Sequence, residues 1–61
     1  MKIENIKIYV PTDIITHWIG EELEEGYIVT EIKIENDDIL IFVNDELKIK
    51  YTKLPYGVVY H

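Results

Sequence analysis

The chain has no cysteine, arginine, alanine, serine or glutamine among its 61 residues. Without cysteine, no disulfide or thiolate metal site can reinforce a core that is small at this length. Without serine or cysteine, and with one internal histidine, the usual nucleophile and base pair cannot be built, so we expect no enzymatic activity and no cofactor. Without arginine, and with a pI of about 4.6, general binding to duplex nucleic acid is not expected.

Long apolar runs are also missing, as is a charged and then apolar leader. We therefore expect no membrane association and a cytoplasmic location, in the host cytoplasm if the protein is viral. Twelve isoleucines and the absence of alanine and arginine favour A/T-rich codons. This bias indicates a low-GC genome, such as that of a Gram-positive bacterium, its phages or plasmids, or of some archaea and their viruses.

The charge that is present is segregated along the chain. Residues 12–46 hold eleven acidic residues and one lysine, a charge of −10, whereas the flanks hold five lysines and one acid, a charge of +4. A short domain with this distribution has two electrically distinct surfaces, and different partners could dock on each.

The hydrophobic pattern predicts a single α+β domain over residues 1–61. Residues 2–10 alternate and predict a strand that ends at Pro11. Residues 13–25 place apolar side chains at helical spacing, which predicts a helix with Trp18 in the core and His17 facing solvent. The expected fold is one helix packed on a single antiparallel sheet of four to five strands, in the order β-α-β-β-β with a possible short strand at residues 58–60.

Residues 27–51 predict a meander of three strands. Asn36 and Asp37 predict a two-residue hairpin turn, which pairs Ile34 with Ile39 and Ile32 with Ile41. A three-residue loop over residues 44–46 is preferred for the next turn, because a two-residue loop would set Ile41 against Lys48. The longer loop pairs residue 43 with 47, 41 with 49 and 39 with 51. A further β-turn is predicted at residues 54–57.

The first candidate site, the acidic pole, comprises six carboxylates expected at one end of the sheet: Glu21, Glu22, Glu24, Glu25, Asp45 and Glu46. Such a cluster can simply be a solvated end that keeps the protein in solution. It can also dock into a basic groove of a partner protein. A metal site is not expected, since no loop has the ligand spacing that Ca²⁺ requires.

The second candidate site, the outer sheet face, lies opposite the predicted helix and comprises Val29, Lys33, Leu40, Phe42, Lys48 and Lys50. Three interpretations compete there. Lysine stems can cover the apolar side chains, a homodimer can bury them, or an anionic ligand can bind with Phe42 stacked on a base.

Together these features favour a small acidic protein-binding module whose partner has a basic surface, such as a phage or mobile-element inhibitor that occupies a groove of a host protein. The alternatives are a binder of a nucleotide or single-stranded nucleic acid on the outer sheet face, and a structural or self-assembling subunit.

Overall fold

The computed structural model describes residues 2–52 and 57–61, and this part of the chain is all-β. It contains seven strands: β1 (Asn5–Val10), β2 (Asp13–Trp18), β3 (Glu22–Glu24), β4 (Tyr27–Glu35), β5 (Asp38–Val43), β6 (Glu46–Tyr51) and β7 (Val58–Tyr60). The predicted α+β fold, with one helix on one sheet, is therefore wrong. The described residues contain no helix, and hence none that could cross a membrane.

The strands form two antiparallel sheets. A three-stranded sheet has the order β2-β1-β7, and a four-stranded sheet has the order β3-β4-β5-β6. The predicted strand before Pro11 is confirmed as β1, and residues 58–60 form the predicted final strand as β7. The turn predicted at residues 54–57 falls largely on residues 53–56, which lie outside the described residues.

The segment predicted as a helix is instead two strands in line. Along residues 13–24 the odd positions from Ile15 to Leu23 are shielded and the even positions are exposed, which is the period of two of a strand. β-Branched residues at positions 14–16 also favour strand over helix. Trp18, predicted in the core, is 48% exposed, and His17, predicted in solvent, is 7% exposed.

A bend at Gly20 carries this segment from one sheet to the other. Gly20 has φ of 92°, which a residue with a Cβ rarely adopts. On the near side of the bend, Ile19 donates its N–H to the Glu4 carbonyl (2.9 Å). On the far side, the Gly20 N–H bonds the Val29 carbonyl (2.9 Å) and the Val29 N–H bonds the Glu21 carbonyl (2.8 Å). The bend therefore carries the chain from β2 to β3 in a short turn and hydrogen-bonds it to β4.

The core lies between the two sheets and is mainly isoleucine and valine. Its buried members are Ile3, Ile6, Ile8, Val29, Ile32, Ile39, Ile41 and Val43. Full burial of one such side chain stabilises the fold by about 1.5–3 kcal/mol. Both sheets contribute, so neither has a covered face without the other.

The meander over residues 27–51 has the predicted pairing through most of its length. Ile34 pairs with Ile39 and Ile32 with Ile41 around the predicted turn, which confirms that hairpin. Ile49 pairs with Ile41 and Tyr51 with Ile39, also as predicted.

The predicted three-residue loop is wrong. Val43 pairs with Glu46, so the loop has two residues, Asn44 and Asp45. Both have positive φ, 51° and 65°, as a type I′ turn requires. A register shift at Lys48 then inserts one extra residue in β6 and restores the apolar pairing beyond it.

Candidate functional site

Hydrogen bonds join two turns at one end of the four-stranded sheet. The β3–β4 turn contains Glu25 and Gly26, and the β5–β6 turn contains Asn44 and Asp45. The Asn44 side-chain amide donates to the Gly26 carbonyl (2.9 Å), and its oxygen accepts from the Ile28 N–H (3.2 Å). The Asn44 N–H also bonds the Ile28 carbonyl (2.9 Å). One asparagine thus fixes the separation of the two turns.

These turns bring together most of the acidic pole, although no helix end is involved. Five of its six carboxylates are on exposed residues: Glu22, Glu24, Glu25, Asp45 and Glu46. Glu46 pairs with Lys48 (3.4 Å) on a side chain that is 74% exposed, where an ion pair adds little stability. Within residues 2–52 and 57–61, the other four exposed carboxylates make no ion pair. The sixth member, Glu21, is half-buried and contacts His17 instead.

A groove of ≈ 400 Å³ crosses the inner face of the sheet beside these turns, and all four strands line it. Its lining residues are Leu23, Glu24, Tyr27, Val43, Lys48 and Ile49. Val43 is 1% exposed and forms apolar floor, while Tyr27 is 47% exposed and forms a wall. The charged residues of its rim are Glu24, Lys48 and Glu46, which contacts Lys48, so carboxylates outnumber the lysine beside the apolar surface. We call it the four-strand groove.

The outer sheet face is covered by the chain's own side chains. Leu40 is 8% exposed, and its cross-strand neighbours are Lys33 and Lys50. The Lys33 ammonium lies 5.4 Å from the centre of the Phe42 ring, within the range of a cation–π contact. Lys33 also approaches Glu31, and Lys50 approaches Asp38, both at 3.8 Å. This arrangement matches the interpretation in which lysines cover the apolar patch.

Two residues predicted on the outer sheet face lie elsewhere, each because of a β-bulge. Val29 is in the core opposite Val43, since the register shifts at Thr30 and reverses the side-chain alternation. Lys48 lines the four-strand groove, since it is the extra residue of β6. Leu47 stands opposite Phe42 in its place and is 48% exposed.

A buried polar network joins the two sheets at His17. Its Nδ1 lies 2.7 Å from Glu21 Oε1, and its Nε2 lies 3.0 Å from the Tyr51 hydroxyl. His17 belongs to β2 of the three-stranded sheet and Tyr51 to β6 of the four-stranded sheet. Described residues leave no buried side-chain nitrogen or oxygen without a partner. The network therefore satisfies its own polar groups.

The hydrogen-bond partners of His17 indicate which of its ring nitrogens donates and which accepts. An ionised Glu21 can only accept, so Nδ1 carries a hydrogen. In neutral His17 the Nε2 then accepts from the Tyr51 hydroxyl. Burial raises the pKa of the Tyr51 phenol above its ordinary value of 10.0, and the Glu21 carboxylate raises it further.

The sequence interpretation missed this network because two of the five shielded positions between residues 15 and 23 are polar. His17 and Glu21 interrupt the apolar alternation, while Ile14 and Trp18 place apolar side chains outside. The available signal was that His17 and Glu21 share the parity of Ile15, Ile19 and Leu23, and could satisfy each other.

The network does not form part of either groove described for residues 2–52 and 57–61, because neither groove is lined by its three residues. A carboxylate, imidazole and phenol in a row could move a proton, but the two grooves lie apart from them. Nor does any cluster of three His, Asp or Glu side chains in this part of the chain have the arrangement to hold a metal ion. The four-strand groove with its acidic rim is thus the candidate site.

Comparison of this chain with protein-family models, with curated proteins and with solved structures finds no match.

Proposed function

We propose that this protein is a protein-binding module that receives a basic segment of a partner in the four-strand groove. The observation that carries the proposal is the tie made by Asn44, which holds two acidic turns beside an apolar floor. Apolar floor and charged rim are the usual anatomy of a protein interface. The uncompensated carboxylates would attract a cationic segment and speed its association.

The partner would use two kinds of contact. An apolar or aromatic side chain would pack on Val43, Leu23 and Tyr27, and flanking lysines or arginines would meet the rim carboxylates. The setting we propose is the one that the composition favours, a cytoplasmic inhibitor from a phage or mobile element that blocks a basic surface of a host protein.

The test is an affinity pull-down from lysate of a low-GC Gram-positive host, with and without nuclease, followed by binding measurements on the partner recovered. The pole variant carries Glu24→Lys, Glu25→Lys and Glu46→Lys. The matched control carries Glu4→Lys, Glu35→Lys and Asp37→Lys, the same charge change on exposed residues outside the pole. We expect the pole variant to lose the partner and the control to keep it.

Salt and groove variants sharpen the same test. Affinity for the partner should fall between low and physiological salt in the unaltered protein, and this dependence should flatten in the pole variant. Tyr27→Ala should weaken binding about tenfold or more, as truncation of an aromatic contact residue does. Equal retention of one partner by the pole variant and its control would refute the proposal.

The outer sheet face carries the alternative function, binding of a nucleotide or single-stranded nucleic acid. The contacts of Lys33 and Lys50 with Glu31, Asp38 and the Phe42 ring favour the groove instead, since a ligand would have to displace them. A partner that nuclease removes, and that Phe42→Ala abolishes while the pole variant keeps it, would establish this alternative.

A further inference from the structure

Among the described residues, the edge of β4 that faces away from β5 is unpaired over most of its length. β3 pairs with β4 at Tyr27 and Ile28, and the bend bonds Val29, but beyond that point no strand in residues 2–52 and 57–61 pairs with β4 on the side away from β5. Residues 30–35 therefore present a row of backbone groups to their surroundings. An exposed edge of this kind can take up a further strand.

A groove of ≈ 440 Å³ runs beside this open edge. All six residues 30–35 line it, together with Lys2, Ile3, Ile19 and Asp45. Its apolar part comes from Ile3, Ile32 and the half-buried Ile19 and Ile34. The free edge thus borders both space and apolar surface, which an added strand needs.

The backbone groups that point into this groove follow from the hairpin. The two-residue turn closes on the pair Glu35 and Asp38, and bonded and non-bonded pairs alternate away from it. Counted from that pair, Ile34 and Ile32 direct their N–H and C=O groups away from β5. An antiparallel partner centred on Ile32 would bond them.

We propose that the occupant of this edge is a second copy of the chain, paired antiparallel about a two-fold axis at Ile32. A two-fold axis normal to the sheet keeps inner faces together, so paired positions must share parity. With Ile32 opposite itself, Glu31 lies opposite Lys33 of the second copy, and the same pair recurs by symmetry. Thr30 lies opposite Ile34 of the second copy.

The neighbouring register is electrostatically unfavourable. Centred on Lys33, it would set Lys33 against itself and Glu31 against Glu35 of the second copy, so that every charged pair is repulsive. Centred on Ile32, both charged pairs attract. Charge therefore favours Ile32 over Lys33 as the centre of a self-paired edge, and the pairing continues the sheet from β6-β5-β4 of one copy into β4-β5-β6 of the other, with both four-strand grooves left open.

Sedimentation velocity over micromolar to millimolar concentrations tests the dimer. Five paired residues make a small contact beside the roughly 1,600 Å² of a standard interface, so a concentration-dependent dimer is expected. A strict monomer at millimolar concentration would overturn the proposal.

Charge exchange tests the register. Glu31→Lys should weaken the dimer about tenfold, because both charged pairs become repulsive. Lys33→Glu should do the same, and the double variant Glu31→Lys with Lys33→Glu should restore dimerisation. The matched control Glu35→Lys makes the same change in net charge on β4 but lies beyond the proposed pairs, so it should leave the dimer constant within about twofold.

Other outcomes point elsewhere. A dimer strengthened by Glu31→Lys or by Glu35→Lys would have the register centred on Lys33, and the proposal would be wrong. The proposal would also be wrong if Phe42→Ala abolished the dimer while Glu31→Lys left it intact, since the outer sheet face would then be the interface. All these side chains are partly or fully exposed, and urea unfolding of each variant confirms that it is folded.

Discussion

The two sheets differ in the regularity of their strand pairing, and the candidate recognition surfaces lie mainly on the less regular sheet. β1 and β2 pair over six consecutive residues with no shift in register, and β1 and β7 pair over three. Every pairing in the four-stranded sheet contains a shift, at Glu22 to Glu24, at Thr30 and at Lys48. Both grooves are lined mainly by this irregular sheet. Bulges re-aim side chains and end pairing, so the irregular sheet is where recognition surfaces arise.

The regular sheet supplies Ile6 and Ile8 of the buried core and one end of the His17 network. The irregular sheet supplies most of the buried core, the acidic turns and the open edge. If this division is correct, substitutions where the two sheets meet should lower the free energy of unfolding most. Substitutions in the turns should lower it less, and substitutions on the outside of the regular sheet should lower it least.

The contact between the two sheets is tested by His17→Leu, which removes the His17 network. The leucine fills the space but leaves the shielded Glu21 carboxylate and the Tyr51 hydroxyl without their partner, so we expect the free energy of unfolding to fall by about 2–3 kcal/mol. Urea unfolding followed by circular dichroism measures it. A loss below about 0.5 kcal/mol would mean that the network does not join the sheets, since changes of that size are typical of surface positions.

The turn tie is broken by Asn44→Ala, for which we expect a loss of about 1–2 kcal/mol from two side-chain hydrogen bonds and a φ of 51°. Asn36→Ala is the matched control, because Asn36 has φ of 55° and no side-chain hydrogen bond within the described residues. Its loss should be about half as large. Equal losses would assign the whole effect to backbone strain, against a role for the tie.

The phenol end of the network is tested by Tyr51→Phe, with an expected loss of about 1 kcal/mol at neutral pH. Since the pKa of Tyr51 is raised, the unfolded chain loses the phenol proton first as pH rises past 10.0. Stability should therefore be full below that pH and fall as pH approaches the folded pKa. Urea midpoints from pH 8 to 11 should show this fall, weakened in Tyr51→Phe and retained in the exposed control Tyr27→Phe.

The outside of the regular sheet is tested by Trp18→Ala, which should cost less than about 1 kcal/mol because the side chain is half exposed. Had residues 13–25 formed the helix that their spacing suggests, Trp18 would be a core anchor and its loss would cost about 3–5 kcal/mol. Thermal unfolding of the variant distinguishes the two. A large loss would also remove the contrast between the sheets.

Local chemistry explains what could be predicted. Turn residues at 36 and 37 and the apolar runs around them determine the pairing of Ile34 with Ile39, so that hairpin followed from the sequence. The pairing of Ile41 with Ile49 also followed, although by a two-residue turn and a bulge instead of a longer loop. Apolar matching was the stronger constraint, and loop length adjusted to it.

Two kinds of feature did not follow. Apolar residues at 14, 15, 18, 19 and 23 satisfy a helical period, and the alternation that competes with it is hidden because His17 and Glu21 occupy shielded positions. Bulges at Thr30 and Lys48 moved Val29 and Lys48 off the outer sheet face, and a bulge has no short sequence signal. The acidic residues gather beside the groove for a reason found in the fold, the Asn44 tie.

The bend at Gly20 affects the cooperativity with which the protein unfolds. Residues 13–24 contribute one strand to each sheet across the short turn at Gly20, so detaching either sheet would pull on a strand of the other. Partial unfolding of one half is therefore costly, and denaturation should be a single cooperative transition. Hydrogen exchange should accordingly report the same opening free energy for the central amides of β1 and β5, although they lie in different sheets.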